Sequence, residues 1–301
     1  MQISTSGVDR RFLIVSALVF GVLASQLLRT AWISDDAYIT FRSADNLIHG
    51  FGPVWNTAER VQGYTHPLWL AAFTPWYAMT RDAYYTSMAL GAALTLAAVV
   101  VLRRLLAHSP WSFAAAAAVL LSSKAFIDFS TSGLENPLSH VLILLFLWCW
   151  WRSADESRLL RLTLVASLCL LNRLDLAILV GPALAVAIVR SGLAHSWRPV
   201  LIGLLPFVAW ELFSVFYYAS LVPNTAFAKL NISMDLNEAM LRGYWYVRRT
   251  AIADPATLPA MAIAVFVTWR HDARRDWPLI AGLLASIAYL FWIGGDFMMG
   301  R

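Results

Sequence analysis

Hydrophobic residues are gathered in long blocks along this chain, and polar residues lie mainly between the blocks. The first block runs from Phe12 to Trp32, about 20 residues, which is enough to cross the hydrocarbon core of a bilayer. Further blocks occupy 83–102, 111–127, 137–151, 159–189, 200–218, 258–269 and 277–293. The pattern predicts an all-α, polytopic transmembrane bundle of about nine spans, forming one domain over residues 1–301.

The count of nine depends on the block at 159–189, which is too long for one span and is interrupted by Asn172–Asp175. If the block forms two short spans, the later arginines lie on the same side of the membrane as Arg10 and Arg11. If it forms a single span, they lie on the external side. Because positively charged loops stay in the cytoplasm, we interpret the block as two spans. The polar segments 33–65 and 223–254 then become external loops.

The composition narrows the class of protein. Apolar residues make up 59% of the chain, charged residues only 14%, and there are 14 tryptophans, which is typical of a polytopic membrane protein. The net charge of +5 could indicate nucleic-acid binding, but the arginines are scattered as singles and doublets between apolar blocks. Without a basic stripe, the sequence predicts a lipid bilayer as partner and no nucleic acid.

Two adjacent carboxylates, Asp35 and Asp36, follow the first span directly. Ionised groups beside a bilayer are costly, and paired carboxylates suit proton abstraction, nucleophilic attack or metal binding. The alternative is a solvated pair that caps the next helix and forms a salt bridge with Arg42. We predict that Asp35 is catalytic and that Asp36 supports it.

The sequence after these carboxylates predicts a short external helix at the membrane surface, from Asp35 to His49. Ser34 is a suitable N-cap and Gly50 a suitable terminator. Steps of three and four residues place four polar side chains on one face, namely Asp35, Tyr38, Arg42 and Asp45. Further interfacial helices are expected at 66–79, which is apolar but short, and after Asp235.

Charged residues that are distant in the sequence share the external side in this topology. They are Asp35, Asp36, Glu59, Arg60, Glu135, Arg173, Asp175, Lys229 and Asp296. A cation is needed wherever phosphate binds, and Arg173, Lys229 and Arg301 offer one. Lys229 is favoured because it follows the Pro223-Asn224 turn; snorkelling towards the membrane surface is its alternative role.

Histidines at positions 66 and 140 lack partners at the spacing of a zinc site. The sequence therefore predicts no metal site and no cofactor, and leaves a divalent cation open.

Six short motifs occur in order along the chain. They are Asp35–Ile39, Gly52–Asn56, Glu59–Thr65, Ser132–Glu135, Leu221–Thr225 and Gly294–Met298. With these motifs, nearly the whole chain resembles the polyprenyl-phosphate-dependent membrane glycosyltransferases of the GT-C type. Within that group it resembles the family of the mycobacterial terminal β-(1→2)-arabinofuranosyltransferase.

The resemblance implies a GT-C-like fold in a bacterial cytoplasmic membrane, with an active site facing outside or the periplasm. It implies a polyprenyl-phosphate sugar donor, with arabinofuranose as the first choice of sugar, and a glycan or protein acceptor. Asp35 would act as base or nucleophile. The residues expected to bind substrate are Arg42, Glu59, Tyr64, His66, Glu135, Arg173, Asp175, Lys229, Asp296 and Arg301.

Two departures from the family limit this comparison. Arg173-Leu174-Asp175 replaces the Arg-Pro-Glu that is frequent in the family, and the chain stops at Arg301, where relatives continue into an external C-terminal domain. We therefore expect a truncated chain. A transporter of lipid-linked substrates and a non-catalytic scaffold are the competing functions; the transporter is disfavoured because the sequence shows neither an inverted repeat nor ionisable groups near the midplane.

Overall fold

The computed structural model describes residues 10–152, 157–223 and 235–295, and this part of the chain is helical without strands. The all-α class is therefore confirmed for the described residues. The helices are α1 (Arg10–Arg29), α2 (Ala37–Ile48), α3 (Pro67–Thr80), α4 (Ala83–Val101), α5 (Pro110–Ser122), α6 (Lys124–Asp128), α7 (Asn136–Arg152), α8 (Arg158–Asn172), α9 (Leu176–Ser191), α10 (Leu193–Tyr218), α11 (Leu236–Ala253) and α12 (Thr257–Trp292). A π-helical turn, Leu102–Leu106, extends α4.

Capping side chains define where several of these helices begin. The Asp82 carboxylate accepts a hydrogen bond from the Tyr85 backbone at the start of α4 (2.9 Å). Ser109 and Ser112 form a reciprocal capping box at the start of α5. Ser123 ends α5 and caps α6, so the predicted block 111–127 becomes two helices.

The largest apolar cluster lies between α7, α8 and α9. Phe146, Trp150 and Leu162 are buried there. Both cysteines of the chain, Cys149 and Cys169, belong to this cluster as buried thiols that form no disulfide. The neighbouring helix α8 also packs against α10, and α12 packs against α9.

Two smaller apolar clusters complete the core. One joins α1, α4, α5 and α6 around Leu23 and Phe113. The other lies beneath α2 and α3 and contains Phe41, Phe73 and Leu134. This second cluster brings the segment before α7 against the two short helices that follow the first apolar block.

The number of spans differs from the sequence prediction. By length and composition, three described helices can cross a membrane: α1, α4 with its π-helical extension, and α10. A fourth is added if α11 and residues 257–270, which meet at 98°, count as one broken span. The predicted count of about nine is not confirmed, because α5, α7 and α9 are apolar but shorter than a full crossing.

Several local predictions can be compared with the helices directly. The block at 159–189 forms two helices, α8 and α9, with the break at Arg173–Asp175 as predicted. Gly50 follows the end of α2 with a φ of +83°, which confirms it as the terminator. By contrast, the two segments expected at 258–269 and 277–293 are parts of one helix, α12.

Ser34 was predicted as the N-cap of α2, and this is wrong. The helix begins at Ala37, with Asp36 in the N-cap position. Ser34 is instead buried, and its backbone N–H donates to the Ser132 carbonyl oxygen (2.9 Å). This tertiary bond fixes the entry into α2, which sequence spacing alone does not reveal.

Glycine permits the closest approach between α9 and α12. A Cβ placed on Gly282 would lie 2.0 Å from the Leu179 carbonyl oxygen. Small residues at such positions let helix backbones pack directly against each other in membranes. Since the second half of α12 also contacts Arg190 through the Arg274 carbonyl, it runs antiparallel to α9.

We expect Gly282→Ala to lower stability by about 1–3 kcal/mol, because the added methyl group collides with backbone that has no rotamer to change. Gly181→Ala is the matched control, since a Cβ there meets no atom within 4 Å. Melting temperatures of the two variants in the same detergent test the packing. Equal melting temperatures would show that α12 does not approach α9 in this way.

Candidate functional site

A chain of polar contacts links four segments of the protein. His66 Nε2 lies 2.6 Å from the Thr40 hydroxyl, and His66 Nδ1 lies 3.4 Å from Glu135 Oε2. Arg173 Nη1 lies 3.5 Å from Glu135 Oε1. The Arg173 guanidinium also donates two hydrogen bonds to the Asp175 carboxylate, one from Nε (3.0 Å) and one from Nη2 (2.6 Å). These five residues are called the Glu135 network below.

The network is buried at one end and partly exposed at the other. Glu135 is 2% exposed and His66 is 4% exposed, whereas the Arg173 side chain is 23% exposed. An isolated carboxylate at such burial costs several kcal/mol, so it needs partners of opposite charge or hydrogen-bond donors. Arg173 and His66 fill that role, and the Arg173–Asp175 pair faces the surface.

The turn before α7 places Glu135 at this point. Gly133 adopts a φ of +78°, and a Cβ there would lie 2.8 Å from the Ala37 Cβ atom, so only glycine fits. The Trp69 indole N–H donates to the Gly133 carbonyl (3.0 Å). Asn172 donates to the Glu135 carbonyl (3.1 Å), which holds the end of α8 against the start of α7.

The paired carboxylates lie on the turn next to this segment. Asp35 is exposed, and its Oδ1 accepts hydrogen bonds from the Asp36 backbone (2.9 Å) and the Ser34 hydroxyl (3.3 Å). Asp36 is half-buried and precedes Thr40 by one helical turn. Thus Asp36 shares the face of α2 that contacts the Glu135 network, while Asp35 faces outwards.

Arg42 does not form the salt bridge that the alternative reading of the carboxylate pair required. Its Nε donates to the Trp55 carbonyl (2.8 Å), and its guanidinium stacks over the Trp55 ring at 4.8 Å. Tyr38 and Arg42 are both exposed, so part of the predicted polar face is present. The loop after α2, rather than Asp35, holds the arginine.

Two other predicted site residues lie outside the Glu135 network. Glu59 is exposed and accepts a hydrogen bond from Asn56 (2.5 Å). Tyr64 is buried, and its hydroxyl lies 2.9 Å from that of Tyr218, which donates to the Pro53 carbonyl (2.6 Å). Burial raises the pKa of Tyr64 well above its usual value, so its hydroxyl stays protonated and joins the loop to α10.

Three predicted substrate-binding residues, Lys229, Asp296 and Arg301, lie outside the described residues. Within the described ranges, no group of three or more His, Cys, Asp or Glu side chains is placed to hold a metal ion.

Sequence reasoning missed Thr40 and Glu211. Thr40 could have been found because it follows Asp36 by four residues in a predicted helix. Glu211 is the sole charged residue of the apolar block 200–218, and such a residue in a membrane helix is a functional candidate in its own right. It lines a small cleft with Gln62, Thr65 and Trp210, next to the segment that carries His66.

No family model matches this chain, and no solved structure matches it. Among curated proteins, it is 31% identical over 319 residues to the terminal beta-(1->2)-arabinofuranosyltransferase of Mycobacterium tuberculosis, covering 90% of this chain and 50% of that protein. The chain is thus similar in sequence, over most of its own length, to a terminal arabinofuranosyltransferase. The protein of the same name from Corynebacterium glutamicum is 30% identical over 335 residues, covering 95% of this chain and 48% of the relative.

These matches confirm the resemblance that the six motifs predicted. The chain spans about half the length of the curated relatives it matches.

Glu135→Gln tests the network. The substitution keeps the shape of the side chain but removes its charge, so Arg173 and His66 lose their shared partner. We expect a loss of about 3–5 kcal/mol in stability, as for a broken buried pair. Glu59→Gln, at an exposed position, should change stability by no more than about 0.5 kcal/mol. If the two variants unfold alike in a denaturant titration, Glu135 is not a buried ionic partner.

Proposed function

We propose that this chain forms the membrane part of a glycosyltransferase that moves arabinofuranose from a polyprenyl-phosphate donor to a glycan or protein acceptor of the cell envelope. The names of the two relatives support the reaction and the sugar. The observation that carries the proposal is the exposed Asp35 carboxylate, held by its own turn beside the buried Glu135 network.

Glycosyl transfer needs a group that removes the acceptor proton or attacks the anomeric carbon. Asp35 suits either role, because one carboxylate oxygen is oriented by Asp36 N–H and the side chain is exposed to substrate. Asp36 supports it from the neighbouring face of α2, one turn before Thr40. The stereochemical outcome distinguishes a base, which gives inversion, from a nucleophile, which gives retention.

The leaving phosphate needs a cation to stabilise its charge. The contacts within the Glu135 network decide which cations are available for this role. Arg173 is already engaged by Glu135 and, with two bonds, by Asp175. A phosphate at Arg173 would have to compete with two carboxylates, so we assign Arg173 to positioning them. We propose two cations for the donor phosphate. They are Arg42, which is exposed on α2 as Asp35 is on the turn before that helix, and Lys229.

The direction of three helices supports an external site. Glu135 precedes α7, and Asn172 ends α8, so both lie at one end of these helices. The opposite end carries Arg158 at the start of α8 and Arg190 near the end of α9, about 21 Å away at 1.5 Å per residue. Because basic ends of membrane helices stay in the cytoplasm, we place the Glu135 network outside.

A cysteine introduced at Asn56 should react with a membrane-impermeant maleimide added to intact cells, and one at Ser157 should react only after permeabilisation. Both positions are exposed, so the difference reports the side of the membrane and not burial. Mass-tagged maleimide and gel mobility give the readout. The reverse pattern would contradict the proposed orientation.

Asp35→Asn should lower turnover at least about a hundredfold in the full-length protein, since it removes the charge needed for proton abstraction or attack. Asp36→Asn should have a smaller effect, and Asp235→Asn is the control, because Asp235 is the N-cap of α11 without a side-chain capping bond. Release of polyprenyl phosphate from a labelled sugar donor measures the reaction.

Near-normal release by a folded Asp35→Asn protein would remove Asp35 from the mechanism. Movement of intact donor between leaflets, without any release by the unmodified protein, would instead indicate a transporter.

A further inference from the structure

Three arginines from three helices lie together at the end of the bundle opposite the Glu135 network. Arg158 stacks over the Trp150 ring at 5.1 Å and donates through Nη2 to the Trp150 carbonyl (2.9 Å). Arg275 Nη2 donates to the Trp151 carbonyl (2.7 Å). Arg190 Nη2 donates to the Arg274 carbonyl (2.7 Å). Arg158, Arg190 and Arg275 are called the arginine cluster below.

Within the part of the chain that the structure describes, the three arginines of the cluster contact one carboxylate. Arg275 and Arg190 are both close enough to oppose the charge of Arg158. Among the described residues, Asp276 is the carboxylate that contacts the cluster, 3.9 Å from Arg275 Nε. Its Oδ1 also accepts hydrogen bonds from the indole N–H groups of Trp150 (2.8 Å) and Trp151 (3.1 Å).

Positive charge also exceeds negative charge in the sequence segments that surround the cluster. The segments 150–161, 190–198 and 270–276 together contain eight arginines and four carboxylates. A guanidinium has five N–H donors, and in each cluster arginine one nitrogen, Nη2, donates to a helix carbonyl. Planar forks of this kind bind phosphate oxygens with two parallel hydrogen bonds.

Apolar side chains around the cluster are exposed. They include Trp151, whose carbonyl accepts the Arg275 hydrogen bond, Val189, which precedes Arg190, and Trp277, which follows Asp276. Indole rings favour the interface between lipid headgroups and acyl chains. The surroundings thus fit a ligand with an anionic head and apolar chains better than a free anion.

We propose that the arginine cluster binds a phosphate-bearing anion, and that this anion is the headgroup of an anionic phospholipid. Basic pockets between membrane helices on the cytoplasmic side bind such headgroups. Arg158 and Arg275 donate to successive carbonyls at the end of α7, and Arg190 adds a third guanidinium from α9. The proposal is independent of the sugar-transfer reaction, because it concerns the other end of α7, α8 and α9.

The test measures the affinity of the purified full-length protein in detergent for phosphatidylglycerol, by titration monitored with native mass spectrometry. Phosphatidylcholine and inorganic phosphate are titrated in parallel. We expect tight retention of phosphatidylglycerol alone. The Arg158→Gln, Arg275→Gln double variant should bind at least about tenfold more weakly, for the loss of charge-assisted hydrogen bonds. Arg104→Gln, at an exposed arginine outside the cluster, should bind normally.

Arg158 and Arg275 also cap α7, so the double variant could lose stability for that reason alone. Arg190→Gln addresses this case, since Arg190 is exposed and donates to the Arg274 carbonyl rather than to a carbonyl of α7. It should weaken phosphatidylglycerol binding while leaving the lipid-free melting temperature unchanged. Unchanged affinity in Arg190→Gln, or an equal loss in Arg104→Gln, would overturn the site. Displacement of the lipid by millimolar inorganic phosphate would overturn the lipid as its source.

Discussion

The buried carboxylate of Glu135 is the constraint on which the described arrangement depends. A charge with 2% exposure is tolerated only where partners are fixed around it, and those partners come from separate segments. His66 precedes α3, Arg173 lies between α8 and α9, and Thr40 lies on α2. Each of these segments must therefore reach its place for any one of them to be stable there.

The same constraint locates the exposed carboxylates. The turn that carries Glu135 also carries Ser132, whose carbonyl accepts the Ser34 backbone N–H, and Gly133, which packs against Ala37. Asp35 and Asp36 lie between these two anchors. Buried ionic groups often add little net stability compared with apolar residues of similar size. We infer that the Glu135 network acts mainly on geometry, by holding the turn that carries Asp35 and Asp36 in place.

Local sequence signals predicted much of the helix pattern because they act over a few residues. Gly50 ends α2 through its positive φ, and the charges of Arg173 and Asp175 break the block between α8 and α9. Glu135 and Arg173 were also expected to converge, because the topology put both at external span ends. The link from His66 to Thr40 and Glu135 could not be predicted, since the three residues are far apart in sequence and the pairing is tertiary.

The span count is not confirmed, and the reason is physical. Hydrophobicity reports that a block is buried in protein or lipid, but it does not report whether the helix is long enough to cross a bilayer. Ser123 divides one predicted block into α5 and α6, and helical residues continue through the polar segment at 270–276 that was expected to separate two spans. Whether a helix ends or continues at such a residue depends on contacts with other segments of the chain. The Ser123 hydroxyl, for example, donates a hydrogen bond to the Asp254 carboxylate (2.7 Å).

The burial of both cysteines bears on the redox environment that the folded protein tolerates. Environments outside the cytoplasm oxidise accessible thiols and pair those that can meet. Cys149 lies near the end of α7 and Cys169 near the end of α8, so these antiparallel neighbours place the thiols at opposite ends of one apolar cluster. Both are buried and neither can reach the other within disulfide distance. The folded state therefore keeps these two thiols from pairing with each other on either side of a membrane.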